Sequence, residues 1–218
     1  MGILRSLEKA IEDKIEGKQS ESGNLHVLEA SRLVCRLLLD NKFKVKGRIF
    51  LPNLLLISFD NLNKVPQNYA DELVRLVSES MSASTFELLA PFLVRLMQRR
   101  EGLATVEVSW SDSQGKVALG FIECTEGPAK GGRWIIPMEG TSIGRGADAG
   151  VCIAADLMMS RRHLQVTAAT DGRVILEDLG SSNGTFIGNK VIPTHRKVVI
   201  NNGRVASLGN STFVFYAF

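Results

Sequence analysis

From residue 117 onward the chain alternates between short strand-like runs and glycine turns, and this pattern limits its fold more than any other feature. The turns include Lys130-Gly131-Gly132, Asp171-Gly172 and Asn202-Gly203. Many short strands at regular spacing are typical of an all-β sandwich. The strand-like runs lie at 119–124, 133–137, 151–153, 164–168, 174–177, 198–201 and 212–218.

The first half of the chain has a different, mostly helical period. Apolar residues recur at helical spacing in four segments, which predicts helices over 3–16, 25–39, 69–80 and 86–99. A polar, glycine-flanked loop is expected at 17–24, and strands at 45–59, broken by Pro52-Asn53, and at 105–110. The polar segment Ser111–Lys116 marks the change of pattern. We therefore predict an α+β N-terminal domain over 1–111 and an all-β sandwich over 112–218.

Composition excludes several classes of protein. A net charge of +3 is too small to indicate nucleic-acid binding by itself. Three widely separated cysteines, Cys35, Cys124 and Cys152, do not fit a disulfide framework or a zinc site, and they suit a reducing cytosol. No apolar run approaches the ~20 residues that span a bilayer, and no signal peptide opens the chain. We expect a cytoplasmic protein with no membrane span, metal or cofactor.

Three polar motifs in the second half carry the chemistry. They are Gly144-Arg145, Ser160-Arg161-Arg162-His163, and the run from Asp178 to Phe186. Hydroxyls, an amide, backbone N–H groups and guanidinium forks are donors suited to holding a phosphate. No acid/base pair, nucleophile or metal cluster accompanies them. This pattern predicts that the protein binds a phosphate without transferring it, and that it is not an enzyme.

With these three motifs in this order, residues from about 117 to 218 resemble the forkhead-associated (FHA) domain, a β-sandwich that binds phosphothreonine peptides. The resemblance implies phosphate contacts from Arg145, Ser160, Arg161 and Ser182. It implies that the side chain of Asn183 binds the peptide backbone just after the phosphothreonine. Loop-shaping roles fall to Gly144, His163 and Gly184. If residues 160–163 form a strand, His163 points to the same side as Arg161, and we expect Arg162 to point away into solvent.

The first half is similar to the domain of unknown function found ahead of FHA domains in actinobacterial proteins. The matching pieces are the start Met1-Gly2-Ile3-Leu4 and the strand that carries Leu51-Pro52-Asn53. The two resemblances together imply an adaptor in bacterial Ser/Thr kinase signalling. It would dock a phosphorylated kinase, pseudokinase or kinase substrate, and residues 1–111 would hold a second protein partner.

Two alternative functions remain open. The basic segment Lys42–Arg48 would suit nucleic-acid binding regulated by the FHA domain, although alternation with Phe43 and Val45 also fits a strand with one solvated, charged face. We do not expect nucleic acid as the main partner. The other alternative is an FHA fold used only as a structural scaffold.

Overall fold

The computed structural model describes residues 27–59, 61–82, 86–98, 105–169 and 171–218. The chain divides into two compact units. The first contains Met1–Leu88 and Phe92–Ser109, and the second contains Leu89–Pro91 and Trp110–Phe218. The helix predicted for residues 3–16 and the loop predicted for 17–24 lie outside the described residues.

Two of the four predicted helices, those over 25–39 and 69–80, are confirmed. Helix α1 is Val27–Asp40 and helix α2 is Tyr69–Met81. Helix α1 buries Ala30, Val34 and Leu38, which recur every four residues and so lie on one side of the helix. Acidic residues in the first turn of α2 suit the positive end of the helix dipole.

Among its described residues, the first unit also contains six strands in two small sheets and a 3-10 turn at Leu62–Lys64. One sheet has the order β1-β2-β4 and the other the order β5-β3-β6. The predicted break at Pro52-Asn53 separates β2 from β3. The strands are β1 Phe43–Val45, β2 Arg48–Phe50, β3 Leu54–Phe59, β4 Phe86–Glu87, β5 Leu93–Gln98 and β6 Thr105–Ser109.

The helix predicted for residues 86–99 is wrong, because this segment forms β4 and β5. Strand β5 runs parallel to β3, from the pair Leu54–Leu93 to the pair Phe59–Gln98. Proline has no N–H to donate and cannot continue a helix, so Pro91 stops one here. The apolar spacing after it fits either period, and pairing with the buried strand β3 selects the strand.

Strand β3 is central in its sheet and supplies much of the core of the first unit. The Leu55 side chain is fully buried, in a cluster with Leu38, Leu73 and Val77. We expect Leu55→Ala to lower the free energy of unfolding of this unit by about 2–5 kcal/mol, because it leaves a cavity. Leu88→Ala, at a side chain that is 40% exposed, is the control. Equal midpoints of the two variants in urea denaturation would contradict this account of the core.

The second unit is a sandwich of two sheets, which confirms the predicted all-β architecture. One sheet has the order β10-β9-β11-β12-β15 and the other the order β14-β13-β16-β17-β7-β8. The strands are β7 Ala118–Glu126, β8 Arg133–Pro137, β9 Thr141–Gly144, β10 Val151–Cys152, β11 Leu164–Ala168, β12 Val174–Asp178, β13 Thr185–Ile187, β14 Lys190–Val191, β15 Lys197–Ile200, β16 Arg204–Leu208 and β17 Ser211–Ala217.

Alternating side chains from both sheets fill the sandwich. In β11 and β12 every second residue is buried, so Val166 and Leu176 pack into the core while their neighbours are partly exposed. The rings of Trp110 and Phe218 stack in the same unit, with centroids 3.9 Å apart and an interplanar angle of 10°. This stack joins the first and the last residue of the segment Trp110–Phe218.

Strand pairing brings the three polar motifs to one end of the sandwich. Strand β11 lies between β9 and β12 and is antiparallel to both. In this register Leu164 is opposite Ile143 on one side and Asp178 on the other. The end of β9, the start of β11 and the end of β12 therefore lie side by side, and each is followed or preceded by one motif.

Candidate functional site

Backbone hydrogen bonds fasten the loop after β9 to the segment before β11. The N–H of Arg145 donates to the carbonyl of Ser160 at 3.0 Å, and the N–H of Gly146 donates to the carbonyl of Arg161 at 3.0 Å. The third loop joins them where the N–H of Ser182 donates to Oγ of Ser160 at 3.0 Å. Ser160 is therefore bonded to both of the other loops.

The close approach of these backbones requires glycine at position 144. A Cβ atom built on Gly144 would lie 2.0 Å from the carbonyl oxygen of Arg161, which is a fixed backbone atom. Any other residue would push the Ser160–Arg161 segment away from β9. Gly184 also has a loop-shaping role in the prediction. Its φ is +76°, a backbone conformation that residues with a Cβ atom rarely adopt.

His163 is fully buried and bridges two loops with its ring. Its Nδ1 accepts a hydrogen bond from the N–H of Ser160 at 3.1 Å, and its Nε2 donates to the carbonyl of Gly184 at 3.2 Å. Only the neutral ring with its proton on Nε2 makes both bonds. Burial lowers the pKa of His163 and outweighs the opposing effects of the Gly184 carbonyl and Asp178.

Asp178, at the end of β12, holds the third loop together. Its Oδ1 accepts from the N–H groups of Gly180 and Ser181, and its Oδ2 accepts from the hydroxyls of Ser181 and Thr185. Burial on its own raises the pKa of this carboxyl. Hydrogen bonds from Ser181 and Thr185 and the nearby His163 prevail and hold the pKa below its usual range.

Asp156 is a second buried carboxylate, and the sequence analysis missed it. It accepts from the N–H of Met158 at 3.2 Å, from the N–H of Asn210 at 2.9 Å and from the hydroxyl of Ser211 at 2.6 Å. These bonds fix the turn that leads to Ser160. The sequence feature that could have indicated this buried carboxylate is the position of Asp156 as a single acidic residue between the apolar residues Ile153 and Met159.

The side chains presented by the three loops line a cleft of about 520 Å³. Asp148 is the acidic member of this set, which also contains three arginines. In the part of the chain that the structure describes, none of the three arginines forms an ion pair with a carboxylate. The cleft residues are Arg145, Asp148, Ser160, Arg161, Arg162 and Ser182.

The structure thus brings together Arg145, Ser160, Arg161 and Ser182, four of the five residues assigned to the phosphopeptide. The fifth, Asn183, is engaged elsewhere: its Nδ2 donates to the carbonyl of Met158 at 2.7 Å. That contact ties the third loop to the turn fixed by Asp156.

Arg162 is exposed to solvent, but it lies on the same cleft as Arg161. Strand alternation over residues 160–163 predicts instead that the two side chains point to opposite sides. Strand β11 begins only at Leu164, and the preceding residues form a bend, so alternation does not apply to them. Arg162 consequently lines the cleft together with Arg161.

The basic segment of the first unit is partly engaged in local contacts. Two nitrogens of Arg48 donate to the carboxylate of Glu87, and the Arg48 guanidinium also lies over the ring of Phe50. Nζ of Lys42 donates to the carbonyl of Leu39. Lys44 and Lys46 are exposed.

The described residues contain no group of three or more His, Cys, Asp or Glu side chains placed to hold a metal ion. No helix among them has the length and apolar character needed to cross a membrane.

The family model of the FHA domain aligns with the stretch from Thr141 to Gly209, which includes all three loops. Residues 141–209 match the FHA domain. The match begins after β8, so the sandwich is longer than the matched segment by two strands at its start and by β17 at its end. The resemblance of the first half to the actinobacterial domain stays a prediction.

Solved structures of FHA domains are similar to the second unit. The FHA domain of the CT664 protein from Chlamydia trachomatis is 22% identical, covers 45% of this chain and 98% of its own, and has a TM-score of 0.41. The FhaA FHA domain, complexed with the intracellular domain of Rv3910, is 27% identical over 44% of this chain and 98% of its own, with a TM-score of 0.38.

A longer similar structure is that of EmbR from Mycobacterium tuberculosis, in complex with a low affinity phosphopeptide. It is 24% identical over 48% of this chain and 26% of its own length, with a TM-score of 0.38. No curated protein matches the sequence.

The hydrogen bonds of Asp178 lead to a first prediction about the FHA domain. Asp178→Asn keeps the shape but removes the charge that accepts four hydrogen bonds, so we expect the domain to lose about 2–3 kcal/mol of stability. Asp171→Asn, at an exposed carboxylate paired with Arg173, should change stability by less than about 1 kcal/mol. Chemical denaturation of both variants measures the difference. If Asp178→Asn left the stability of the domain unchanged, the role given to this residue would be wrong.

The buried neutral ring of His163 leads to a second prediction. Its pKa in the folded protein is lowered, whereas an unfolded histidine has a pKa of about 6.5. Below pH ~6.5 the unfolded chain therefore binds a proton that the folded domain does not, and stability should fall from there down to the folded pKa. Denaturation midpoints measured between pH 7.5 and 5 test this.

Two further measurements separate His163 from other titrating groups. Imidazole NMR should show the ring of His163 still neutral, with its proton on Nε2, below pH 6.5. In His163→Gln the loss of stability in this pH window should be smaller than in the parent protein. A charged His163 ring at pH 7 would overturn the interpretation.

Proposed function

We propose that the FHA domain of this protein binds a phosphothreonine-containing segment of a partner protein. The observation that carries the proposal is the convergence of two guanidinium groups, from Arg145 and Arg161, with two serines in one cleft, where neither guanidinium forms an ion pair among the described residues. A phosphorylated side chain carries a charge of about −1.5 to −2 at pH 7 and three acceptor oxygens. Its charge and its acceptors match what the cleft supplies.

Each residue contributes a different kind of contact. Arg145 and Arg161 offer planar forks that bind phosphate oxygens bidentately. Ser160 accepts the N–H of Ser182 with its oxygen, which leaves its own O–H to donate to the phosphate. Ser182 is exposed and supplies a second hydroxyl. Asp148 opposes a dianion, and the excess of arginines offsets it.

Asn183 would position the peptide chain that carries the phosphate. One N–H of its amide is used on the carbonyl of Met158, and the second N–H and Oδ1 remain for the backbone of an extended peptide. Because the same side chain is fixed by the turn next to Ser160, its free groups keep a set distance from the phosphate. Selectivity for threonine over serine is part of this proposal.

The wider role that follows is an adaptor. FHA domains are phosphopeptide-binding modules, so the phosphorylated partner would be a Ser/Thr kinase, a pseudokinase or a kinase substrate, in bacterial signalling in the cytoplasm. The first unit would hold a second protein. We propose no catalytic step, since the cleft presents groups suited to binding an anion.

Removing Arg145 tests the proposal directly. We expect Arg145→Ala to weaken phosphothreonine peptide binding by at least about 2 kcal/mol, or roughly 30-fold, because it removes one partner of a close charged pair. Fluorescence anisotropy of the full chain against a degenerate peptide library would measure it. The library would carry phosphothreonine, phosphoserine or unmodified threonine at its fixed position.

The matched control is Arg173→Ala, which removes an exposed arginine from the turn between β11 and β12, at the other end of these strands. It should leave peptide affinity unchanged. If the parent protein binds none of the three libraries, or if both alanine variants bind equally, the FHA fold is a scaffold in this protein and the proposal fails.

A further inference from the structure

A second surface of the sandwich lies where both of its sheets end. Strand β14 is the last strand of one sheet and β15 is the last strand of the other. Among the described strands, each therefore has a single strand neighbour. A groove of about 680 Å³ lies along them and the start of β16, and we call it the edge groove. It is lined by residues 187, 190–193 and 198–204.

The floor of the edge groove exposes apolar side chains. Val191 is 58% exposed and Val199 is 51% exposed, and each lies on one of the two edge strands. Both residues are β-branched, and each stands on a short edge strand that has one neighbour among the described strands. An added strand can pair with the other edge of such a strand. An apolar side chain placed against either valine would be removed from water together with it.

Every charged residue among those described as lining the groove is basic. Residues 179–218 contain no Asp or Glu, and they contain Lys190, Arg196, Lys197 and Arg204. Lys190 and Arg204 line the groove. The nearest acidic residue in the strand register is Glu177, which is opposite Lys197 on β12. A rim whose charges are all positive attracts a segment that carries negative charges.

We propose that the edge groove docks an extended acidic segment of a partner protein, with apolar side chains at alternate positions. An extended strand points successive side chains to opposite sides, so alternate residues would reach Val191 and Val199 while the acidic residues meet the basic rim. Nucleic acid fits less well. The described residues that line the groove include no aromatic side chain on which a base would stack.

This docking surface is separate from the phosphate cleft and does not require it. None of the residues that line the edge groove is among those that line the cleft. A partner with a phosphothreonine and an acidic segment would be held at two points, which raises affinity by an effective-concentration effect. Loss of one site leaves the other intact, so the two proposals fail independently.

The test is a backbone amide NMR titration of the ¹⁵N-labelled full chain with an unphosphorylated octapeptide of alternating Glu and Val. We expect shifts at residues 190–191 and 197–204 and none at Arg145, Ser160 or Ser182. An octapeptide of alternating Glu and Ser should bind at least ~5-fold more weakly, because it lacks the apolar contacts. Shifts confined to the phosphate loops, or no shifts at millimolar peptide, overturn the proposal.

Matched variants identify which side chains are responsible. The charge reversal Lys190→Glu with Arg204→Glu should weaken the Glu/Val peptide at least ~10-fold. The same change in net charge at two exposed lysines outside the groove, Lys116→Glu with Lys130→Glu, should weaken it less than ~2-fold. If the two double variants lose affinity equally, the attraction is non-specific and the proposed surface is wrong.

Further variants and a different ligand determine the nature of the partner. Val191→Thr with Val199→Thr keeps β-branching and shape, and it should weaken the Glu/Val peptide roughly 5-fold, whereas Val205→Thr outside the groove should not. Arg145→Ala should leave this binding unchanged. A single-stranded DNA oligomer that produces the same shifts at equal or higher affinity would replace the acidic segment with nucleic acid and overturn the proposal.

Discussion

The pairing of β11 with both β9 and β12 is the constraint on which the arginine-lined cleft depends. Because β11 is antiparallel to both neighbours, their three loops emerge at one end of the sheet. A slip of one residue in either pairing would turn every side chain of the strand to the other face. The alternating core residues Val166 and Leu176 prevent this slip, so packing inside the sandwich fixes the spacing of Arg145, Ser160 and Ser182 outside it.

The groups that build the cleft are chemically different from those that face a ligand. His163, Asp156 and Asp178 are buried, and their hydrogen bonds run to loop atoms of the protein itself. The arginines remain exposed and unpaired among the described residues, so they keep their hydration until an anion replaces it. The exposed charges are therefore available to a ligand, whereas the buried groups fix the geometry of the loops.

How much the sequence could predict depends on whether a signal was local. The three motifs and most strands of the sandwich are encoded by nearby residues, so their order and positions were predicted. The segment after Phe86 was predicted incorrectly as a helix because its apolar spacing fits two periods, and only pairing with β3 selects one. The partners of Asp156 show the other limit: Asn210 and Ser211 are more than fifty residues away, and no local pattern points to them.

The second unit takes residues from two separate stretches of the chain. Leu89–Pro91 belongs to it, the chain then returns to the first unit for β5 and β6, and it re-enters the second unit at Trp110. A single cut between residues 111 and 112 would therefore leave five residues of the second unit on the wrong fragment. One of them is Trp110, so the ring of Phe218 would lose the aromatic face on which it stacks. A gene fragment that encodes a whole second unit has to be assembled from two pieces of the sequence.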